Sequence, residues 1–185
     1  MKNQEKLLNI CVWSAVVLFA LRCFISWNSI LSDFSLYDIF GYAGEAVSIS
    51  VILSGFYEKL LWRINPLEKS PKLAKCYKGT LKSSYDNIER SATLKIKQSF
   101  TSVHVTLITD ESRSNSLSAS VDEILGEMQL TYCYLNTPKT AYRNRSAIHY
   151  GTARLTITGP GSLEGQYYTD RKTIGDMIFT AAKRQ

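Results

Sequence analysis

The sequence predicts a membrane-anchored all-β protein, with a hairpin of two transmembrane helices followed by an eight-stranded, up-and-down antiparallel β-barrel. Two long apolar runs occupy the first 65 residues of the 185-residue chain. After Pro71 the pattern changes to short segments of alternating polarity separated by turn residues, which is typical of antiparallel strands. No gap between those segments is long enough for a crossover helix, so consecutive hairpins are expected.

Two apolar runs, 7–27 and about 39–61, are long enough to cross a bilayer, which takes about 20 residues of helix. The first run is too long for a signal-peptide core, and no small-x-small cleavage site follows it. The second run is rich in Gly, Ala and Ser, which let helices approach closely in lipid, so it is the expected packing surface. We therefore predict a hairpin over 1–65 and a linker over 66–75.

Basic residues lie outside both ends of the hairpin. Lys2 and Lys6 precede the first run, and a group of bases from Lys59 onward follows the second. The segment between the runs contains Asp33 and Asp38 and no base. The positive-inside rule therefore predicts a multi-pass protein of the cell inner membrane with both termini in the cytoplasm.

Two charged residues, Arg22 and Glu45, lie inside the apolar runs. Ionisable residues within a membrane span are functional candidates by default. Counting along the hairpin places both near its outer end at similar depth, so we predict that they form an ion pair, within one hairpin or between neighbouring copies. The alternative is that Arg22 extends to the outer interface beside Trp27.

The β domain is expected to span 76–185 and to contain eight strands. Their predicted ranges are 76–85, 92–98, 102–109, 116–122, 128–135, 148–158, 162–169 and 175–180. Eight strands can close into a barrel, which removes exposed edges. A barrel of that size either fills with side chains or holds one small ligand.

Strand alternation predicts which side chains face the lumen. In the first strand the face of Tyr77 and Tyr85 is opposite to the lysine-bearing face, and Tyr132 and Tyr167 lie on similar faces of later strands. Lysines are expected outside, and a mixture of Tyr, Ser and Thr inside. Buried hydroxyls need partners, so such a lumen suits a ligand with a nucleobase and a phosphate. The simpler interpretation is that these rings are core residues.

The formal net charge of +6 resides in the C-terminal part, because residues 1–71 carry six Lys/Arg and six Asp/Glu. Such a surplus favours an anionic partner, although from composition alone a solvated, solubilising surface is the better explanation. The four cysteines are scattered, and the two histidines, His104 and His149, are isolated in sequence. We therefore expect no disulfide framework, no metal site, no cofactor and no catalytic site, so the protein is not predicted to be an enzyme.

Two segments resemble a known family. Residues 76–85 read Cys-Tyr-Lys-Gly-Thr-Leu-Lys-Ser-Ser-Tyr. Residues 163–175 read Leu-Glu-Gly-Gln-Tyr-Tyr-Thr-Asp-Arg-Lys-Thr-Ile-Gly, and the part from Tyr167 onward is the more specific. Together with the two preceding helices they resemble the CD-NTase-associated protein fifteen family, the two-transmembrane, β-rich effectors of bacterial CBASS antiphage systems. The resemblance implies a lipocalin-like barrel that binds a cyclic dinucleotide made by a cognate CD-NTase. It also implies that binding drives homo-oligomerisation of the transmembrane helices within membrane lipid, disruption of the inner membrane and abortive cell death. Nucleic acid is not an expected partner.

A ligand with two phosphates needs cationic partners, and five bases lie near turns or strand ends of the β domain. They are Arg143, Arg145, Arg154, Arg171 and Lys172. Arg171 is the first choice, because it follows Tyr167 and Thr169 at matching parity at a strand end. The full set of predicted ligand contacts is Tyr77, Tyr85, Tyr132, Arg154, Tyr167, Thr169 and Arg171.

Some alternatives stay open at this point. A bulge near Gly165 would turn Tyr168 inward instead of Tyr167. Arg154 is opposite in parity to its apolar neighbours, which would direct it to solvent. The barrel could instead carry an apolar small molecule, or it could be a solid adaptor that binds no ligand.

Overall fold

A computed structural model describes residues 2–27, 35–159 and 161–182. Most of the segment between the two apolar runs, including Asp33, lies outside the described residues. The chain divides into two compact units. The first contains residues 1–69 together with 99–101, and the second contains the remainder from 70 onward.

Two long helices form the first unit. Helix α1 spans Lys2–Ile25 and helix α2 spans Leu36–Lys59, followed by a short 3₁₀ turn over Leu61–Arg63. By length and composition, both helices are suited to crossing a membrane. The helices begin before the apolar runs at 7 and 39, because helical geometry continues through polar residues that hydropathy alone does not include.

One face of α2 packs against α1 through small residues. Ala46, Ser50 and Ser54 are the buried residues of α2, and they are spaced four apart, so they form a single stripe. The Ser50 hydroxyl lies 2.7 Å from the Ser14 hydroxyl and also donates to the carbonyl of Cys11. Hydrogen bonds of this kind join helices in lipid, where an unpaired hydroxyl is costly.

The glycines of α2 lie on the opposite face. A Cβ atom added at Gly41, Gly44 or Gly55 would meet nothing within 4 Å. At 3.6 residues per turn these positions, together with Ser48, lie about 120–180° from the centre of the Ala46, Ser50 and Ser54 stripe. Within one hairpin, α2 therefore packs on α1 through the stripe of Ala46, Ser50 and Ser54. The glycine stripe, although also rich in small residues, has no neighbour within 4 Å of these Cβ positions.

Arg22 and Glu45 form an ion pair within one hairpin, as their similar depth predicts. The Nε atom of Arg22 lies 3.1 Å from Oε2 of Glu45. The guanidinium also donates to the Ser26 hydroxyl at 2.6 Å and lies 4.4 Å from the centroid of the Tyr42 ring. Neutralisation by an opposite charge lowers the cost of placing an ionised group in a membrane span.

Eight consecutive antiparallel strands form a closed barrel in the second unit, as the sequence predicts. Each strand pairs with its neighbours in the chain, and the last strand pairs with the first. A 3₁₀ turn over Thr140–Tyr142 lies between the fifth and sixth strands. The strands are β1 Cys76–Ser83, β2 Glu89–Gln98, β3 Val103–Thr109, β4 Ser112–Ile124, β5 Glu127–Pro138, β6 His149–Gly159, β7 Ser162–Thr169 and β8 Ile174–Ala181.

Closure depends on the pairing of β1 with β8, which is continuous from Tyr77 with Ala181 to Ser83 with Gly175. Gly79 lies in this ladder opposite Phe179, and a Cβ atom at Gly79 would come within 2.7 Å of the Phe179 Cα. Glycine within a strand marks a close approach of two backbones. The joint between the first and last strands therefore requires a residue without a side chain.

The inward and outward faces agree with the predicted alternation. Tyr77, Leu94 and Tyr132 belong to one buried core together with inward residues of the other strands. Lys78, Lys95 and Lys97 alternate with them on the exposed face. Tyr167 is partly buried against this core, whereas Tyr168 is exposed, so no bulge reverses their order.

Two strands are longer than their predicted ranges. β4 begins at Ser112 rather than 116, and β5 continues to Pro138 rather than ending at 135. A register shift between Ser116 and Ser118 changes which side chains face inward along β4. The stretch 110–115 consists of polar residues that are common in turns, so sequence pattern alone does not predict that β4 already begins at Ser112.

Gly79→Ala is expected to destabilise the barrel. The added methyl group would collide with the backbone of β8, so the free energy of unfolding should fall by about 1–3 kcal/mol. The measurement is denaturant unfolding of the full chain in detergent micelles, monitored by the tyrosine near-ultraviolet circular dichroism.

Gly159→Ala is the matched control, because an added Cβ atom there meets nothing within 4 Å. It should leave stability unchanged or raise it slightly, since alanine has lower conformational entropy in the unfolded chain. Equal effects of the two substitutions would show that β1–β8 closure tolerates a side chain at position 79.

Candidate functional site

A cavity of about 350 Å³ lies in the barrel, at the end where the β1–β2, β3–β4, β5–β6 and β7–β8 connections meet. In an up-and-down barrel alternate connections share one end, so four loops surround a single opening. Eight-stranded barrels have space for one small ligand. The remaining interior is occupied by the buried apolar core.

The cavity wall combines apolar, hydroxyl, amide and charged groups. Its apolar part includes Leu81, Leu107 and Met177, and its aromatic part includes Tyr134 and Tyr167. The charged side chains that line it are Asp86, Arg90, Glu111, Arg145 and Arg171. Ligand pockets commonly combine an apolar surface with a few placed polar groups, and this cavity has that composition.

The two tyrosine rings of the wall are each placed by a glycine on the neighbouring strand. Tyr134 pairs in register with Gly151, and Tyr167 pairs with Gly175. A Cβ atom at Gly151 would come within 2.4 Å of the Tyr134 hydroxyl oxygen, and one at Gly175 within 2.5 Å of the Tyr167 ring. Glycine therefore leaves the space that each ring occupies, which fixes both rings against the barrel wall.

Burial raises the pKa of the Tyr134 hydroxyl, and the nearby Tyr167 and Asp170 raise it further, whereas Arg171 lowers it. The hydroxyl therefore stays protonated at physiological pH. A protonated phenol both donates and accepts hydrogen bonds, so the Tyr134 side chain can serve either function at the cavity wall.

Ser114, Asn136 and His149 form a buried chain of hydrogen bonds across three adjacent strands. The Ser114 hydroxyl donates to Oδ1 of Asn136 at 2.9 Å, and Nδ2 of Asn136 lies 3.5 Å from Nε2 of His149. The His149 Nδ1 lies 2.9 Å from the carbonyl oxygen of Ala147. All three side chains line the cavity while being less than a tenth exposed.

Two of the arginines at the cavity are paired with acids. The Arg90 guanidinium contacts both Asp86 carboxylate oxygens and lies 3.4 Å from Glu111, which also binds Arg145. The Arg90 guanidinium lowers the pKa of Asp86 to about 2, chiefly by donating hydrogen bonds to it. Asp86 therefore remains ionised near neutral pH, and the carboxylates of Asp86 and Glu111 are the direct partners of these two arginines.

Arg171 differs from Arg90 and Arg145 because no carboxylate lies within 4 Å of it among the described residues. It lies in the turn between β7 and β8, next to Thr169 and Thr173, whose hydroxyls are 2.7 Å apart. An unpaired guanidinium keeps its five donors available for an anion. Among the three described arginines that line the cavity, Arg171 is therefore the one whose guanidinium is free to bind an anion.

The structure brings together four of the seven predicted contacts. Tyr85, Tyr167, Thr169 and Arg171 line the cavity. Tyr77, Tyr132 and Arg154 do not line it, and each has a clear alternative location. Tyr77 is buried and its hydroxyl accepts a hydrogen bond from the Ala74 amide at 2.9 Å, Tyr132 is a fully buried core residue, and Arg154 is exposed on the outer face of β6.

Sequence reasoning did not select several residues of the wall. Asn136 continues the inward parity of Tyr132 and Tyr134, but it lies just beyond the predicted end of the fifth strand at 135. His149 is isolated in sequence and becomes part of a cluster only when β5 pairs with β6. Ser114 lies before a bulge, and no periodic pattern identifies it.

Metal binding has no support in the part of the chain that the structure describes. No three side chains among its His, Cys, Asp and Glu residues are grouped in a way that could hold a metal ion. The chemistry that the wall can provide is recognition of an anion and of polar ring edges.

Comparison with known proteins agrees with this geometry. A family model described as Cap15, cyclic dinucleotide receptor domain, matches residues 68–181, which include all eight strands. The chain belongs to the Cap15 family. It is 31% identical over 175 residues to CD-NTase-associated protein 15 of Staphylococcus schleiferi, covering 92% of this chain and 93% of that protein.

The Cap15 match and the cavity concern the same part of the chain. Residues from 81 to 177 line the cavity, and all of them lie inside the matched range. The similarity to the Staphylococcus schleiferi protein extends over nearly the whole chain, so it includes the two apolar helices as well as the barrel.

Replacement of Arg90 is expected to raise the pKa of Asp86. In Arg90→Gln the carboxylate loses its charged donor, so its pKa should move from about 2 towards the ordinary value of about 3.9. Because the pKa is lower in the folded than in the unfolded chain, the stabilisation by this ion pair is complete above pH ~4 and is lost as the pH falls towards ~2.

The measurement is a carbon-13 titration of the Asp carboxyl groups in the full chain in micelles, with Asp86→Asn assigning the signal. Arg154→Gln is the control, because Arg154 is exposed on the outer face of the barrel. An Asp86 titration that Arg90→Gln leaves unchanged would contradict the assigned cause of the low pKa.

Proposed function

We propose that this protein is a CBASS antiphage effector whose barrel binds a cyclic dinucleotide made by a cognate CD-NTase. Membership of the Cap15 family, with its cyclic dinucleotide receptor domain, supports this function. The observation that carries it is the cavity, where an unpaired arginine adjoins two fixed tyrosine rings and a buried polar chain. These groups match the phosphates, ring faces and ring edges of such a ligand.

Each chemical part of the ligand has a suitable partner in the wall. Arg171 provides charge-assisted hydrogen bonds to a phosphate. The rings of Tyr134 and Tyr167 provide surfaces on which a base can stack. Thr169 adds a hydroxyl beside Arg171, and Tyr85 extends the aromatic surface at the opening, where it is 75% exposed.

The two rival functions fit the cavity less well. A carrier of an apolar molecule would have an apolar wall, but five charged side chains line this one. An adaptor with a solid barrel would leave no cavity, and about 350 Å³ is available.

The proposed output is at the membrane. We place the helices in the inner membrane with both termini in the cytoplasm, where the barrel meets newly made cyclic dinucleotide. Ligand binding would favour contact between copies and so raise the local concentration of the helices, which then associate and disrupt the bilayer, leading to cell death. The open stripe of Gly41, Gly44, Ser48 and Gly55 supports association, since small residues permit close packing in lipid.

Arg171→Ala is expected to weaken ligand binding by about 10- to 100-fold, the usual range for hydrogen bonds to a charged group. The measurement is isothermal titration of the full chain in nanodiscs with a panel of cyclic dinucleotides, supported by thermal shift, since saturating ligand raises stability.

Arg154→Ala is the matched control because it removes the same charge from the outer face of the barrel. It should leave affinity unchanged. If no cyclic dinucleotide bound the wild type, the receptor function would be wrong, and equal losses in both variants would assign Arg171 only a general electrostatic contribution.

The Arg22 and Glu45 pair is expected to be necessary for the membrane output. In Arg22→Glu or Glu45→Arg, two like charges face each other in the span, so ligand-dependent dye release from liposomes should fall at least tenfold. The double variant that exchanges the two charges should restore release, because it re-forms the pair.

Ligand affinity in nanodiscs serves as the control and should be the same in all four proteins. If the exchange variant remained as inactive as the single variants, the pair would not be the required feature. The alternative, that the Arg22 side chain extends to the outer membrane–water interface, would then better explain why a charge is present at this position.

A further inference from the structure

Strand register in the barrel determines the positions of Ser114, Asn136 and His149, which form a chain of hydrogen bonds. Ser114 pairs in register with Asn136, and Asn136 pairs in register with His149, so three neighbouring strands contribute one residue each. They are 5%, 7% and 7% exposed, and all three line the cavity. Buried polar side chains are costly to place, and apolar residues could fill the same positions. The arrangement therefore indicates recognition of a ligand.

The hydrogen bonds define the orientation of the Asn136 amide. The carbonyl of Ala147 can only accept, so Nδ1 of His149 carries a proton, and in that tautomer Nε2 is an acceptor. Asn136 must then direct its amino group to His149 and its oxygen to the Ser114 hydroxyl. His149 and Ser114 act as positioning residues for this amide.

Some hydrogen-bonding capacity remains unused after these contacts. Asn136 keeps one N–H and one lone pair on Oδ1, and Ser114 keeps the lone pairs of its hydroxyl oxygen. A free donor beside a free acceptor on one amide is the pattern that binds the N7 and N6 positions of adenine. The Ser114 oxygen can accept the second N–H of the same exocyclic amine. Hypoxanthine, which has a carbonyl in place of that amine, would present an acceptor to two acceptors.

We propose that Asn136, oriented by Ser114 and His149, reads the amino edge of an adenine in the bound cyclic dinucleotide. This inference rests on the proposed receptor function and adds base specificity to it. Arg171 and the two tyrosine rings would bind any cyclic dinucleotide, because phosphates and ring faces are common to all of them. The polar chain is the part of the wall that distinguishes one base from another.

The test measures binding of the full chain in nanodiscs by isothermal titration. The probes are cyclic dinucleotides that carry adenine in one or both positions, with each of the four bases opposite, together with the adenine-free set. For the tightest adenine ligand, the analogue with hypoxanthine in place of adenine is measured as well. The analogue is expected to bind about 10- to 100-fold more weakly, which is the usual discrimination of a good bidentate base contact.

Two substitutions connect this discrimination to the proposed residues. In Asn136→Ala the ratio of the two dissociation constants should fall to about one, and in Ser114→Ala it should fall at least threefold. Asn115→Ala is the matched control, since the Asn115 side chain is exposed and bonds the Thr106 hydroxyl on the outer face. Its ratio should equal that of the wild type. Thermal unfolding confirms that each variant is folded, and the wild-type ratio is informative without any variant.

The possible outcomes separate the two proposals. Binding with no preference for adenine over hypoxanthine, or a tightest ligand without adenine, would overturn the base-reading inference and leave the receptor function intact. A preference that survives both Asn136→Ala and Ser114→Ala would also overturn it. Absence of binding for every cyclic dinucleotide would overturn the receptor function and the inference together.

Discussion

The pairing of β1 with β8 is the interaction on which the rest of the β domain depends. Without it, the sheet would have two open edges and its concave face would be exposed to water. Gly79 makes this pairing possible, because the backbone of β8 occupies the space of a Cβ atom. Closure separates an inside from an outside. It also places four of the connections at one end, where they surround the cavity.

The polar interior is stable because its members bind one another before any ligand arrives. Ser114, Asn136 and His149 are placed by direct cross-strand register, and each forms a hydrogen bond within the wall. Tyr134 and Tyr167 lie against glycines of neighbouring strands. Preformed orientation of this kind reduces the entropy that binding must remove, so the same contacts give higher affinity.

Charge at the cavity is divided between paired and available groups. Arg90 and Arg145 share Glu111, and Asp86 adds a second carboxylate, so these side chains hold the β1–β2, β3–β4 and β5–β6 connections through ion pairs. Arg171 has no such partner among the described carboxylates. A single unpaired cation beside a neutralised group attracts an anion to one location, whereas three free arginines would bind anions without orientation.

Two faces of α2 are both rich in small residues, but only one of them is packed against another helix. One stripe of small residues packs on α1 with hydroxyl hydrogen bonds, and the glycine stripe faces open space. The sequence alone shows only that the helix is rich in small residues. Their division between an intramolecular contact and a free face depends on which side of the helix meets α1.

The sequence by itself predicted two apolar helices long enough to cross a membrane, the eight strands and the inward faces of β1, β2, β5 and β7, because each follows from local periodicity. It placed Arg22 and Glu45 at similar depth, and the tertiary structure decided that they pair within one hairpin. Tyr167 and Thr169 were identified by the same alternation. The tertiary structure decided which inward tyrosines belong to the cavity and which to the core, since that depends on depth in the closed barrel. It also decided that Asn136 and His149 are neighbours, because cross-strand register joins residues that no sequence pattern connects.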